Sequence, residues 1–369
     1  MKRTNKLTRI LILCLLLPAL LCSCVASDIG GTGADGSQGN AAPAEELEKF
    51  SSYSFDYFDT VTTLTGYAKS QEQFDAISAD VIRILEEYHR LYTIYYTYDG
   101  IENLCTLNRK GEDEDRVINA DKRIIDMLLF AKEAYTLTEG HVNIAMGSVL
   151  SIWHDYREEG MNDPWSASLP PMDKLREAAK HTGIDSLEID AEAGTVRLTD
   201  PYVRLDVGAV AKGYAVERVA RELEAHGVTG YFLNVGGNVR TIGKKPGGET
   251  WTVGIEDPRE NGSDFLDLLS LSGEALVTSG SYQRFYTVGD ISYHHIIDTE
   301  TLMPARGYTS VSVITSDSGL ADALSTALFC MTLEEGQALI SSLDGVEAAW
   351  LCEDGTRVYS SGFETYIKK

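Results

Sequence analysis

Between Asp206 and Thr326, short segments join glycine to carboxylate, hydroxyl, lysine or histidine. They read DVGAVAKGY (206–214), NVGG (234–237), TSGSYQRF (278–285) with YHHIID (293–298), and SDSGLADALSTA (316–327). Glycine lets the backbone approach a ligand closely, and the polar groups beside it supply charge and hydrogen bonds. Together these segments suit a large phosphate-bearing cofactor and a hard metal ion.

Each segment also has a plainer explanation. SDSGLADALSTALF opens a helix that Asp317 or Ser318 can cap. Asp322 and Thr326 are four apart and share one helical face. A carboxylate and a hydroxyl so placed suit Mg2+, which takes oxygen ligands and completes its shell with water and phosphate. Alternatively, Asp322 favours the positive end of the helix and Thr326 bonds back to a carbonyl. DVGAVAKGY puts Asp206 and Gly208 at a strand end and Lys212 at a helix start, where a lysine and free amides suit a pyrophosphate. The GxxxxGK(S/T) and GxGxxG spacings are absent, so this is neither a P-loop nor a dinucleotide fingerprint. Gly236 and Gly237 serve either a turn with positive φ or a ligand lying against the backbone.

Thr278, Ser279 and Gly280 offer a hydroxyl pair beside a flexible glycine. Ser279 lacks a GxSxG frame, which argues against a hydrolase nucleophile. His294 and His295 point to opposite faces of a strand, so at most one faces a given site. Asp298 is placed to orient a histidine as general base.

The elements that must position these groups can be read from periodicity. Phe74, Ile77, Val81, Leu85, Tyr88 and Leu91 give residues 71–95 the spacing of an amphipathic helix, and 121–140 reads as a second. YSFDYFDTVTTLTGYA (53–68) is β-branched and aromatic and reads as strand, and LEID with TVRL reads as a hairpin. YVRLDV, the helix 211–227 and YFLNV predict a right-handed βαβ unit with parallel strands, its ligand beyond their carboxyl ends. WTVGIED, LVTSGS, TSVSVIT and AAWLCED add strands. The expected fold class is mixed α/β (α+β), one domain over 50–369.

The chain has 369 residues, 43% of them apolar, enough for a sizeable core. Lys2, Arg3, Lys6 and Arg9 precede an apolar run from Ile10 to Cys22, too short to span a bilayer and suited to a signal peptide. Leu21-Cys22-Ser23-Cys24 resembles a bacterial lipobox, which makes residues 1–23 the expected signal peptide and Cys24 the lipidated first residue. Residues 24–49, rich in Gly, Ala, Ser and Asp, read as a flexible tether. The net charge of −24 becomes −28 without residues 1–23, which argues against nucleic acid as a partner. Cys105, Cys330 and Cys352 show no metal spacing, and a disulfide between two of them stays open.

In order, DVGAVAKGY, NVGG, WTVGIEDP, VTSGSYQRF, YHHIIDTETLMPA and SDSGLADALSTAL are strongly similar to the ApbE family of FAD:protein FMN transferases. The resemblance covers residues 53–369, with YFDTVTTLTGY and HVNIAMGSVLSIWHDYR resembling the family's N-terminal half. It implies an ApbE-type, T-fold-like domain that binds FAD with Mg2+. It further implies that the pyrophosphate is split, that FMN is joined through its phosphate to a Ser or Thr of an exported flavoprotein with an FMN-binding domain, and that AMP is released. By motif, the implied metal ligands are Asp322, Thr326 and the carbonyl of Ala209. Asp206, Gly208, Lys212, Gly236, Gly237, Thr278, Ser279 and Gly280 would lie at the cofactor. His295 matches the histidine needed for transfer and would help deprotonate the acceptor hydroxyl. Lys212 would help neutralise the leaving group.

Four positions depart from the family pattern. Thr299 stands for Pro and Leu302 for Gly after HIID, Glu217 for Asp on the AKG helix, and Asp59 for Gly before Thr60. Tyr282, Tyr293 and Trp153 are the aromatic candidates for stacking on the flavin. Two other functions use the same residues: an FAD pyrophosphatase with water as acceptor, and a non-enzymatic FAD-binding lipoprotein.

Overall fold

In the computed structural model of the chain, the described residues are 47–110, 116–260 and 264–369. The expected signal peptide, Cys24 and nearly all of the tether lie outside them. The first strand, Glu48–Ser54, starts two residues ahead of the expected domain boundary.

Eight strands make the main sheet: Glu48–Ser54, Thr62–Ala68, Tyr231–Val235, Asn238–Ile242, Ala275–Gly280, Tyr308–Thr315, Glu347–Cys352 and Arg357–Tyr359. Their order across the sheet is their order in the chain, and every pairing is antiparallel. The functional segments are therefore excursions from a meander. Residues 69–230 carry the helices Gln71–Tyr92, Lys122–Leu137, Gly147–Asn162 and Ala211–Ala225. Residues 281–307 carry the hairpin Phe285–Val288 with Ile291–His294. Ser318–Cys330 forms a helix between the sixth and seventh strands.

Period-two alternation divides the core. Tyr231, Leu233 and Val235 face the helices, while Phe232 joins Trp251, Leu276 and Ile314 on the opposite face. The hairpin Trp251–Glu256 with Phe265–Leu271 covers that opposite face. A third cluster, including Met146, Trp153, Tyr286, Ile297 and Leu302, joins the Gly147–Asn162 helix to the 285–294 hairpin.

The expected parallel βαβ unit does not form. Tyr231–Val235 has antiparallel neighbours on both edges, so no place is left beside it for Tyr202–Val207. That segment is held instead by side chains and loops. Leu205 exchanges two hydrogen bonds of 2.8 Å with the Asn108 side chain, and Asp206 N–H donates to Ile144 O at 2.8 Å. Arg204 makes an isolated parallel bridge to Met146. The three cysteines Cys105, Cys330 and Cys352 are free thiols, so the disulfide left open by the sequence is absent among the described residues.

The helices Ala211–Ala225 and Ser318–Cys330 meet closely. A Cβ on Gly213 would lie 2.4 Å from both Asp322 Cβ and Ser318 O. One turn on, Glu217 is 1% exposed and accepts hydrogen bonds from Arg221 Nε (2.8 Å), Arg240 Nε (3.1 Å) and Ser318 N (2.9 Å). The Arg240 side chain, 5% exposed, also donates to Gly273 O at 2.6 Å. One buried carboxylate thus ties a sheet strand to both helices. Glu217→Ala leaves the buried Arg240, among the described residues, with the part-exposed Glu224 at 3.2 Å as its remaining carboxylate, so urea unfolding should show a loss of about 3 kcal/mol, in the range for breaking a buried ion pair.

Candidate active site

The Ser318–Cys330 helix begins where Asp317 accepts a hydrogen bond from Leu320 N–H at 3.0 Å. This cap fixes the helix phase, which puts Asp322 against the neighbouring helix. Asp322 Oδ2 accepts the Gly213 N–H at 2.8 Å, and its carboxylate is only 6% exposed. Burial pushes its pKa up, while Lys212 and the Gly213 N–H act in the opposite direction. The Asn238 amide lies near enough to favour the carboxylate, yet Asn238 Nδ2 has no partner in hydrogen-bond geometry. Thr326, one turn along, lies 3.5 Å from Ser279 Oγ, which also bonds Ser325 Oγ at 2.9 Å. Ala209 sits in the turn entering the helix that carries Gly213.

This donor set fits Mg2+. No group of three His, Cys, Asp or Glu side chains among the described residues could hold a metal. A cation here would rest on one carboxylate, hydroxyls and backbone carbonyls, with phosphate and water completing the shell, as Mg2+ does. A carboxylate this deeply buried is costly, and a cation would relieve that cost further than Lys212 and the Gly213 N–H do.

The structure places the other nominated residues unevenly. Gly236 (φ 54°) and Gly237 (φ 89°) form the two-residue turn between Tyr231–Val235 and Asn238–Ile242, the type I′ geometry that glycine favours. The hairpin alone accounts for both glycines. Lys212 does not reach outward for a phosphate: its ammonium donates to Gly236 O at 3.2 Å and to Asn238 Oδ1. Thr278 and Ser279 do not act as a pair, because adjacent strand residues face opposite ways. Ser279 faces the Ser318–Cys330 helix, whereas Thr278 bonds Ser312 at 2.8 Å on the other face of the sheet. Gly280 ends its strand under the Tyr282 ring, 2.6 Å from where its Cβ would be. Asp206 Oδ1 accepts the Gly208 N–H at 2.9 Å, closing the turn before the helix.

The two histidines separate as expected. His294 is buried, its Nε2 2.8 Å from Ala305 O, and it belongs to the core. His295 keeps part of its surface accessible, and its Nδ1 lies 3.3 Å from Arg284 O. Asp298 orients neither ring. Its Oδ1 accepts the N–H groups of Glu300 (3.1 Å) and Thr301 (2.6 Å), shaping the loop after the histidines. In that loop Leu302 keeps the left-handed conformation of a glycine, φ 61°, and its carbonyl accepts Trp153 Nε1 at 2.9 Å. Trp153 is 4% exposed and stacks on Tyr293, whose ring also meets Tyr286, centroids 6.1 Å apart, and the Arg306 guanidinium at 5.4 Å. Trp153 is therefore a loop support rather than a free flavin platform.

Sequence reasoning missed the cations around His295. Arg157, from the Gly147–Asn162 helix, and Arg284, preceding the hairpin, both act electrostatically on His295 and on Asp206. Arg157 Nη2 is 2.9 Å from His154 Nδ1, and His154 stands against Tyr95, ring centroids 5.8 Å apart. Only tertiary folding brings 95, 154, 157, 206, 284 and 295 together. Burial first, then Arg284, His294 and Arg157, push the His295 pKa down to about 3. Protein encloses the ring deeply although part of its surface remains open. The ordinary histidine value is near 6.5. A histidine depressed in the folded state has no effect on stability above that value and penalises folding increasingly as the pH falls towards 3. In an NMR titration of the ligand-free protein, the His295 imidazole should stay neutral from pH 8 down to about 5. A midpoint near 6.5 would contradict this placement.

The ApbE family model matches residues 58–350. An FAD:protein FMN transferase of Treponema pallidum is 33% identical over 282 residues, covering 72% of this chain and 75% of the relative. One from Klebsiella pneumoniae is 26% identical over 78% of this chain and 85% of its own length. The crystal structure of the ApbE protein of Thermotoga maritima superposes with a TM-score of 0.75 at 27% identity, covering 87% of this chain and all of that one. The Vibrio cholerae flavin transferase ApbE shares the fold at 23% identity, with a TM-score of 0.72. With the family match running across the antiparallel sheet, the Asp322 helix and the His295 hairpin, this chain belongs to the ApbE family.

Proposed function

We propose that this chain is an Mg2+-dependent FAD:protein FMN transferase that joins FMN through its phosphate to a Ser or Thr of an exported flavoprotein and releases AMP. The observation that carries this reading is the buried Asp322 carboxylate, held by Gly213 N–H and flanked by the Thr326 and Ser279 hydroxyls, in a member of this family. The relatives in Treponema and Klebsiella that bear the activity's name support it.

Asp322, Thr326 and the Ala209 carbonyl would hold Mg2+. When bound, the ion neutralises charge that develops on the phosphates. Lys212 braces this arrangement from behind, fixing the 236–238 turn against the helix that presents Gly213 to Asp322. His295 receives the proton. An Nδ1–H donated to Arg284 O leaves the Nε2 lone pair free to accept the proton of the acceptor hydroxyl. The hydroxyl oxygen then bonds to the FMN phosphorus, and the bond from that phosphorus to the AMP oxygen breaks.

The Leu21-Cys22-Ser23-Cys24 segment supports anchoring through a lipidated Cys24 on the extracytoplasmic face of the membrane, so that the acceptor is an exported protein. No helix among the described residues is long and apolar enough to cross a membrane.

The test combines the purified chain, FAD, Mg2+ and an FMN-binding acceptor domain. The expected outcome is a fluorescent protein adduct with equimolar AMP, abolished by EDTA. Asp322→Ala should slow labelling on the order of 100-fold or more, as expected for loss of a metal's charge stabilisation. FMN and AMP without an adduct would identify a pyrophosphatase, and intact bound FAD would identify a flavin carrier.

A further inference from the structure

We propose that Arg157 and Arg284 form a phosphoryl-recognition pair that holds the transferred phosphate of the flavin nucleotide beside His295. This deepens the transferase reading and rests on it. Three observations carry it, and none of them depends on the Asp322 site.

First, the two cations are poorly compensated. The Arg157 side chain is only 18% exposed, yet its nearest carboxylate is Glu158 at 3.9 Å, itself half exposed. Its other partner is His154 Nδ1 at 2.9 Å, which is no anion. The Arg284 guanidinium makes no hydrogen bond or ion pair among the described residues; only its backbone carbonyl is engaged, by His295. For Arg157, a partly buried guanidinium without a carboxylate in bonding geometry is a cost to the empty protein that an incoming anion removes, whereas Arg284 is exposed and offers its guanidinium to solvent or to an arriving anion. Burial first, then Arg284, push the Arg157 pKa down.

Second, the buried carboxylate that acts on both arginines does not consume them. Asp206 lies near both arginines, but its Oδ1 is bound to Gly208 N–H at 2.9 Å. No ion pair within 4 Å among the described residues joins it to Arg157 or Arg284. At the His295 imidazole the charged groups that act are the two guanidiniums, and neither Asp206 nor Glu158 offsets them there.

Third, the position suits the reaction. A base that takes a hydroxyl proton must stand beside the phosphorus that the hydroxyl attacks. Planar guanidiniums match phosphate oxygens and stabilise charge as it develops on them. Lys212, the sequence's nominee for a phosphate, is instead engaged with Gly236 O and Asn238 Oδ1. The pair also disciplines the base. The groups facing His295 are Arg284 on the same excursion, adjacent His294, and Arg157 from the Gly147–Asn162 helix. All of these disfavour the imidazolium until a phosphoryl group arrives to offset them.

The experiment compares binding of FMN and of riboflavin to the full chain in detergent, by flavin fluorescence quenching in EDTA, so that no metal contributes. The two ligands differ by the phosphate alone. Wild type should bind FMN about tenfold or more tighter than riboflavin, as expected for charge-assisted bonds to an anion. Arg284→Gln and Arg157→Gln should each lower FMN affinity about tenfold and leave riboflavin affinity unchanged. Arg284→Gln removes no internal bond among the described residues, so its folded state serves as the control for Arg157→Gln. Unchanged FMN preference in both variants would overturn the proposal, as would an equal loss for both ligands. If both variants lose the preference while wild type labels no acceptor, the arginine pair stands and the transferase reading falls. If wild type labels its acceptor and the variants keep the preference, the reverse holds.

Discussion

The close approach of two helices is the constraint on which the site depends. Gly213 gives the Ala211–Ala225 helix a surface with no side chain at the point where Asp322 and Ser318 press against it. A methyl group there would displace the carboxylate or the helix. The backbone N–H so exposed becomes the hydrogen-bond donor to Asp322 Oδ2. Glu217, one turn along, locks the same pair by binding Ser318 N–H and the Arg240 guanidinium. The carboxylate is thus buried and fixed by backbone geometry with Lys212 acting on it, and in the proposed reading a hard cation would complete its environment.

A second consequence comes from the antiparallel sheet. Because its strands follow one another in chain order, long excursions leave and return at neighbouring strands without crossing it. One excursion brings Arg157 and the Trp153 support. Another brings Arg284 and His295. They meet through the cluster of Trp153, Tyr286, Ile297 and Leu302. The loop after His295 keeps a glycine-like turn although Leu302 occupies it. Left-handed backbone at a leucine costs about 1 kcal/mol. Burial of its side chain and the Trp153 bond to its carbonyl offset that cost.

Electrostatics divides the site into two halves. Around Asp322 the protein supplies negative charge and oxygen donors, with Lys212 turned inward. Around His295 it supplies Arg157 and Arg284. A phosphate-bearing substrate bridging a cation on one side and guanidiniums on the other would satisfy both halves at once, so neither half is well compensated alone.

The sequence by itself determined the elements and the family. The 71–95 helix, the Asp317 cap, the separation of His294 from His295 and the ordered motifs were legible because they rest on local periodicity and spacing. The sequence also placed Asp322 and Thr326 on one helical face for the same reason. Tertiary structure decided the rest. YVRLDV has the composition of a strand, yet both edges of Tyr231–Val235 were already taken by antiparallel partners, so the βαβ unit could not form. Thr278 and Ser279 are adjacent in sequence but divided by the sheet, and Asp298 spends its oxygen on its own loop. Arg157 and Arg284, 127 positions apart in the chain, carried no local signal. Their role exists only where two excursions pack together, since charge acts through space and sequence spacing does not record that distance.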